Sequence, residues 1–254
     1  MIPMKLFAVV FLFFSFNCCF SQDTNVFLEK KYIDSSKDTL LYRFHEIDNP
    51  QKKFPLVVFF HGAGERGNDN KKQLEVGIHI LANTQNRAKY PCYILAAQCP
   101  DNLKWVNTDW TADSHNFSEN PSKPMKQVIE LIDILLKKYS IDPKRIYVIG
   151  LSMGGFAVWD IISRFPNKFA AAVPICGGGD EKKAKSLSKI PIWVFHGEKD
   201  KVVKTLRSRN MVTALKKAGG NPKYTEYKDV GHNCWGKTFN DDNLYKWLFL
   251  QSKK

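Results

Sequence analysis

The chain has 254 residues, of which 44% are apolar and 25% charged, with a formal net charge of +13. This composition excludes a disordered chain and fits one large folded domain. The charge favours anionic surroundings, but the lysines are scattered in pairs (30–31, 52–53, 71–72, 137–138, 182–183, 216–217) without a nucleic-acid recognition motif, so no nucleic-acid partner is expected.

Residues 1–21 carry an early Lys5, an apolar run from Leu6 to Phe14, and a small-residue exit at Cys19-Phe20-Ser21. They read as a secretory signal peptide cut before Gln22, which leaves 22–254 as a single domain in a secreted or periplasmic protein. The run is short for a membrane anchor. Lipid attachment at Cys18 or Cys19 is a lesser alternative, since Phe16 and Asn17 suit it poorly. No later stretch is apolar for long enough to cross a bilayer. Losing Lys5 takes the charge from +13 to +12. Four cysteines then remain, Cys92, Cys99, Cys176 and Cys234, without a C-x-x-C or a metal spacing, and buried free thiols are expected.

Alternation over 26–33 and 40–47, with turn chemistry between them, predicts an antiparallel hairpin. The continuous apolar run 54–60 predicts a strand buried on both faces. A helix over 71–86, a strand over 92–98 and a long irregular loop over 105–124 follow. Helical spacing of Val128, Ile129, Leu131, Ile132, Leu135 and Leu136 predicts a helix over 126–139. Beyond it come strand 145–149, helix 156–162, strand 169–175, a short lysine-rich helix ending at Ser188, strand 190–195, helix 203–218, strand 223–227 and helix 241–251. Strands alternating with helices predict an α/β fold: a mostly parallel sheet with helices on both faces and the N-terminal hairpin at one edge. The interval 179–190 is too short for a large cap, so an open cleft is expected. Asn116-Phe117-Ser118 fits a glycosylation sequon.

The chemistry centres on Gly150-Leu151-Ser152-Met153-Gly154, a G-x-S-x-G between a predicted strand and a predicted helix. In that context the pattern is a nucleophile elbow, with Ser152 exposed at a helix N-terminus. A serine hydroxyl needs a base beside it and an acid to orient the base. In this architecture they follow in the order Ser, Asp or Glu, His. Asp200 is the preferred acid, past the carboxyl end of a predicted strand, with Glu198 as rival and Asp180 less favoured. His232 is the base, after the last predicted strand; His45, His79, His115 and His196 do not occupy that place. His61 precedes Ser152 and fits the glycine-rich loop 61–67 better. There the amide of Ala63 would pair with that of Met153 as an oxyanion hole. The lysine and hydroxyl of a phosphate loop are missing from 61–67. Glu65 and Arg66 either touch substrate or form ion pairs that hold the loop; both readings stay open. Trp235 is the aromatic expected to line the cleft, whereas Trp105 and Trp110 are read as packing.

His61-Gly62-Ala63-Gly64-Glu65-Arg66-Gly67, the elbow, His196-Gly197-Glu198-Lys199-Asp200 and Gly231-His232-Asn233 together resemble the α/β-hydrolase superfamily. The resemblance is to secreted bacterial esterases of the polyhydroxybutyrate-depolymerase and feruloyl-esterase type, related to prolyl-oligopeptidase and dienelactone-hydrolase families. It covers nearly all of 22–254. It implies a Ser152–Asp200–His232 triad, no metal or organic cofactor, and hydrolysis of esters, commonly acyl groups on polysaccharides. Ser152, in place of the cysteine of dienelactone hydrolases, disfavours that substrate. A serine peptidase and a non-catalytic binding module on a hydrolase scaffold are the competing classes.

Overall fold

The computed structural model describes residues 26–49 and 51–254. The expectations for 1–21, Cys18 and Cys19 among them, lie outside those residues. Among the described residues, no helix is long and apolar enough to cross a membrane.

Eight strands form one sheet: β1 (Leu28–Ile33), β2 (Thr39–His45), β3 (Phe54–Phe60), β4 (Tyr93–Ala97), β5 (Ile141–Leu151), β6 (Ala171–Ile175), β7 (Trp193–Gly197) and β8 (Lys223–Tyr227). Their order is β1-β2-β4-β3-β5-β6-β7-β8. β1 pairs antiparallel with β2, and β2 antiparallel with β4; every later pairing is parallel. This is the expected α/β sheet with an N-terminal hairpin at its edge. Parallel strands alternate their side chains between two buried faces. On β3, Leu56, Val58 and Phe60 enter one core with helices α3 (Lys123–Lys138), α4 (Met153–Arg164) and α6 (Leu206–Lys217). Val57 and Phe59 enter the other, with α1 (Ile78–Leu81) and α8 (Asp242–Phe249).

The single helix expected over 71–86 is instead a 3-10 turn (Lys72–Leu74), α1 and α2 (Thr84–Lys89). Gly77 breaks it with φ +82°, and a Cβ there would sit 2.4 Å from the Phe239 ring. Asn83 then restarts the helix by accepting the Asn86 amide at 2.8 Å. The expected start of α6 at 203 moves to Leu206: Arg207 and Ser208 still bond three residues back, to the Lys204 and Thr205 carbonyls, and the first bond of α-helical reach is from Arg209 to Thr205. A short helix α7 (Trp235–Phe239) follows the His232 loop and has no counterpart in the sequence reading. Between 179 and 190 there are only a 3-10 turn (Glu181–Lys183) and the single-turn α5 (Ala184–Leu187).

The loop over 105–124 has neither helix nor strand up to Ser122, which caps α3. It is nevertheless held firmly. Arg164 donates to the Ser118 and Glu119 carbonyls at 2.7 and 2.9 Å. Buried Arg207 donates to the Ala112 carbonyl and to His115 Nδ1. Lys204 pairs with Asp113 at 2.7 Å, and Asp180 accepts the Phe117 amide at 2.8 Å.

Candidate active site

In a parallel sheet the carboxyl ends of the strands share one edge, and loops from several strands converge there. β5 ends at Leu151 and α4 starts at Met153, so Ser152 alone makes the turn. It does so at φ 54°, ψ −118°, a conformation uncommon for a side-chain-bearing residue. The turn is that tight because backbone meets backbone around it. A Cβ on Gly154 would lie 2.0 Å from the Phe60 carbonyl oxygen, and one on Gly150 2.3 Å from that of Gly154. The Ser152 amide is anchored to the Ile175 carbonyl at 2.8 Å. Gly154→Ala is therefore expected to cost at least ~2 kcal/mol and to lower the melting temperature by about 4–8 °C. An unchanged melting curve would contradict the contact.

The structure brings Ser152, His232 and Asp200 together. Ser152 Oγ lies 2.9 Å from His232 Nε2, and His232 Nδ1 lies 2.7 Å from Asp200 Oδ2. Assigned from these partners, Nδ1–H donates to the carboxylate and Nε2 is free to accept the serine proton. The His232 loop comes this close because Gly197 faces it: a Cβ on Gly197 would meet the Gly231 carbonyl at 2.1 Å. Behind the imidazole, the His232 carbonyl accepts from the Cys234 amide at 2.8 Å and the Cys176 thiol at 3.2 Å.

Asp200 is held on every side. Its Oδ1 accepts the amides of Val202 and Val203 at 2.8 and 3.0 Å. Its Oδ2 accepts from His232 and also from His196 Nε2, at 3.1 Å. Burial alone would raise this carboxyl. The hydrogen bonds from His196 and His232, the electrostatic attraction of His232 and the Val203 amide outweigh it and hold the group well below the usual carboxylate range. The rival acids are engaged elsewhere. Glu198 is exposed and accepts the Asp229 amide at 2.9 Å, and Asp180 accepts the amides of Phe117 and Lys182.

The expected oxyanion donors flank the serine. Met153 opens α4 and Ala63 opens a 3-10 turn (Ala63–Glu65), so neither amide has an acceptor within its own helix. A Cβ on Gly62 would stand 3.7 Å from that of Ser152, which sets the loop against that serine. Arg66 braces the loop through carbonyls, donating to Ala63 at 2.9 Å and Leu103 at 3.4 Å. The ion pairs considered for Glu65 and Arg66 are not among those formed by the described residues. Glu65 folds back against Gly62, its carboxyl raised by burial and its Oε2 unpartnered. Trp235 meets the His232 ring edge to face at 5.2 Å. Trp105 is core, donating to the His61 carbonyl at 3.2 Å, and half-buried Trp110 lies under Lys104.

His61 is a structural pin. Its Nδ1–H donates to the Gly62 carbonyl at 2.6 Å, and its Nε2 accepts the Cys99 amide at 2.9 Å. Accepting the Cys99 amide requires the neutral ring, and burial lowers its pKa to about 4. His115, half-buried beside Arg207, is also lowered to about 4. A histidine depressed in the folded state contributes stability that is complete above its unfolded value, about 6.5, and lost as pH falls toward 4. Denaturant unfolding at pH 7 and pH 4.5 should therefore differ, with His61 alone worth up to ~3 kcal/mol. Equal stability at the two pH values would refute this assignment.

His196 is the residue that sequence reasoning passed over. Its place was legible as a strand-end histidine four residues before the acid, but nothing in the pattern said that it faces the carboxylate. Cys176, His196 and Asp200 bring their polar atoms within 4.8 Å of one another. Hydrogen bonds already occupy this cluster: the thiol donates to the His232 carbonyl, and His196 Nε2 faces two acceptors and must carry a proton, which leaves it no lone pair for a metal. The four described cysteines are free and buried, as expected.

A mostly parallel sheet with a strained serine between β5 and α4, an acid after β7 and a histidine after β8 is the α/β-hydrolase architecture. The chain belongs to the phospholipase/carboxylesterase family, which it matches over residues 44–248. It is 31% identical over 157 residues to a bifunctional acetylxylan esterase/xylanase of Neocallimastix patriciarum, a match covering 54% of this chain and 23% of that one. The crystal structure of a thermostable esterase is 42% identical with a TM-score of 0.85, covering 91% of this chain and 64% of that one. A ferulic acid esterase shares the fold at 17% identity and a TM-score of 0.65, over 88% of this chain and 96% of its own. The chain thus spans less than two thirds of the length of the first two.

Proposed function

We propose that the protein is an exported serine carboxylic-ester hydrolase that removes acyl groups, of acetyl or feruloyl type, from polysaccharides or oligosaccharides. The observation that carries the reading is the unbroken chain Ser152 Oγ to His232 Nε2 to Asp200 Oδ2, at 2.9 and 2.7 Å. His232 takes the Ser152 proton as the oxygen attacks the ester carbonyl. The negative oxygen that develops is met by the amides of Met153 and Ala63, each such donor being worth ~3–4 kcal/mol in the transition state. His232 returns the proton to the leaving alcohol, and an acyl-enzyme remains. Water, deprotonated by the same imidazole, releases the acid.

Family membership and the acetylxylan esterase named among the relatives support deacylation. Of the two activities in that relative's name, a serine–imidazole pair suits acyl transfer; glycoside hydrolysis calls for two carboxylates flanking the bond. Half-buried Trp235, edge-on to His232, offers an apolar face to a sugar ring or aryl acyl group. Export rests on the signal-like residues 1–21, and secreted material should begin at Gln22 by N-terminal sequencing.

Turnover of short aryl esters, acetylated xylo-oligosaccharides, feruloylated sugars and peptide amides tests the reading. Acetyl or feruloyl release with inert amides is expected. Preferential amide cleavage would make the protein a peptidase, and no turnover of any of them would leave a binding module.

A further inference from the structure

We infer that His196 is a positioning residue, locking the Asp200 carboxylate through a Ser208–His196–Asp200 chain that runs behind the proposed triad. The inference rests on that triad reading and deepens it. His196 lies on β7 and Ser208 in the first turn of α6, and both are fully buried. His196 Nε2 is 3.1 Å from Asp200 Oδ2 and 2.9 Å from the Val203 carbonyl. Its Nδ1 is 2.7 Å from Ser208 Oγ. Facing two acceptors, Nε2 bears the proton; in the neutral ring Nδ1 then accepts from the Ser208 hydroxyl at 2.7 Å, in preference to the Gly177 carbonyl at 3.3 Å as that hydroxyl's acceptor.

A buried imidazole needs one partner for each nitrogen. The Val203 carbonyl and the Ser208 hydroxyl already supply both. The third contact, to Asp200, is surplus to the needs of the ring, and its benefit goes to the carboxylate. It lands on Oδ2, the oxygen that holds His232. With Val202 and Val203 on Oδ1, the carboxylate has four donors and no freedom to turn about its Cβ–Cγ bond. The orientation of His232 is thereby referred to two rigid elements, β7 and α6, rather than to the loop that carries Asp200. Because His196 touches neither Ser152 nor the expected position of the substrate, its loss should act on turnover and not on binding.

The test compares His196→Leu, His196→Gln and Ser208→Ala with the parent on a soluble aryl acetate, with melting temperatures measured alongside. Leucine removes the donor; glutamine places an amide N–H at a similar reach. His196→Leu should lower kcat by about 10- to 100-fold, the effect of one lost charge-assisted hydrogen bond, with KM within about twofold. His196→Gln should recover most of that loss, and Ser208→Ala should lower kcat by a smaller factor. Parental kcat in folded His196→Leu overturns the inference, as does an equal loss in both His196 variants that tracks their melting temperatures. If His196→Leu does not fold, parental kcat in Ser208→Ala overturns it instead. Ser152→Ala measured in parallel separates the two levels. Full activity there sinks the triad reading itself, whereas an inactive Ser152→Ala beside a fully active His196→Leu sinks this inference alone.

Discussion

Ser152→Ala is expected to lower kcat for a short ester by about 10⁶-fold while leaving the melting temperature near that of the parent. Alanine keeps the Cβ, so the turn at φ 54° and its anchoring amide bond to Ile175 carry over. What disappears is the hydroxyl hydrogen-bonded to His232 Nε2. The amides of Met153 and Ala63, proposed as the oxyanion donors, are untouched by the substitution, so activity should stay above that of the uncatalysed reaction. Circular dichroism and a titration with an organophosphonate ester, which labels an activated serine, complete the measurement. The variant should take up none. Stoichiometric labelling of Ser152→Ala, or turnover within tenfold of the parent, would move the nucleophile elsewhere.

Asp200→Asn should lower kcat by about 10⁴-fold, the scale expected when the base loses its orienting carboxylate. The structure adds a specific reason. The carboxylate accepts from four donors, two amides on Oδ1 and two imidazoles on Oδ2. An asparagine has one acceptor oxygen and one NH₂. If its oxygen serves the amides of Val202 and Val203, its NH₂ faces the N–H of both histidines. If it serves the histidines, the NH₂ faces the two amides. In either pose two donors oppose two donors in a buried site, so stability should fall by a few kcal/mol as well. A neutral effect on both turnover and unfolding would show that Asp200 is a dispensable loop cap.

The order of elements was legible because apolar runs and their breaks report burial directly. The same order explains why Ser152, Asp200 and His232 could be nominated from sequence: each follows a strand of one parallel sheet, and such strands end on a common edge. The helix over 71–86 was misread because helical spacing is indifferent to a single glycine. The reason for Gly77 is the Phe239 ring, 162 positions away along the chain. His196 was missed for a related reason. Its role depends on a turn that folds Asp200 back over the end of β7, and no periodicity records the direction in which a buried ring points. Arg66 was half legible: the loop-bracing role holds, but carbonyls take the place of the imagined carboxylate.

The elbow is set by backbone touching backbone at Gly150, Gly154, Gly155 and Gly177, and the His232 loop likewise at Gly197; any carbon added at these positions would fall within 2.6 Å of a main-chain atom. Mutational libraries aimed at those positions should return mostly dead clones. The segment over 111–120 is different: Arg164 and Arg207 hold its Ala112, Ser118 and Glu119 carbonyls, contacts that do not depend on the side chains at those three positions. Exposed positions there, such as Ser114, Ser118 and Asn120, should accept substitution with the course of the chain unchanged, because the arginines grip main-chain oxygens.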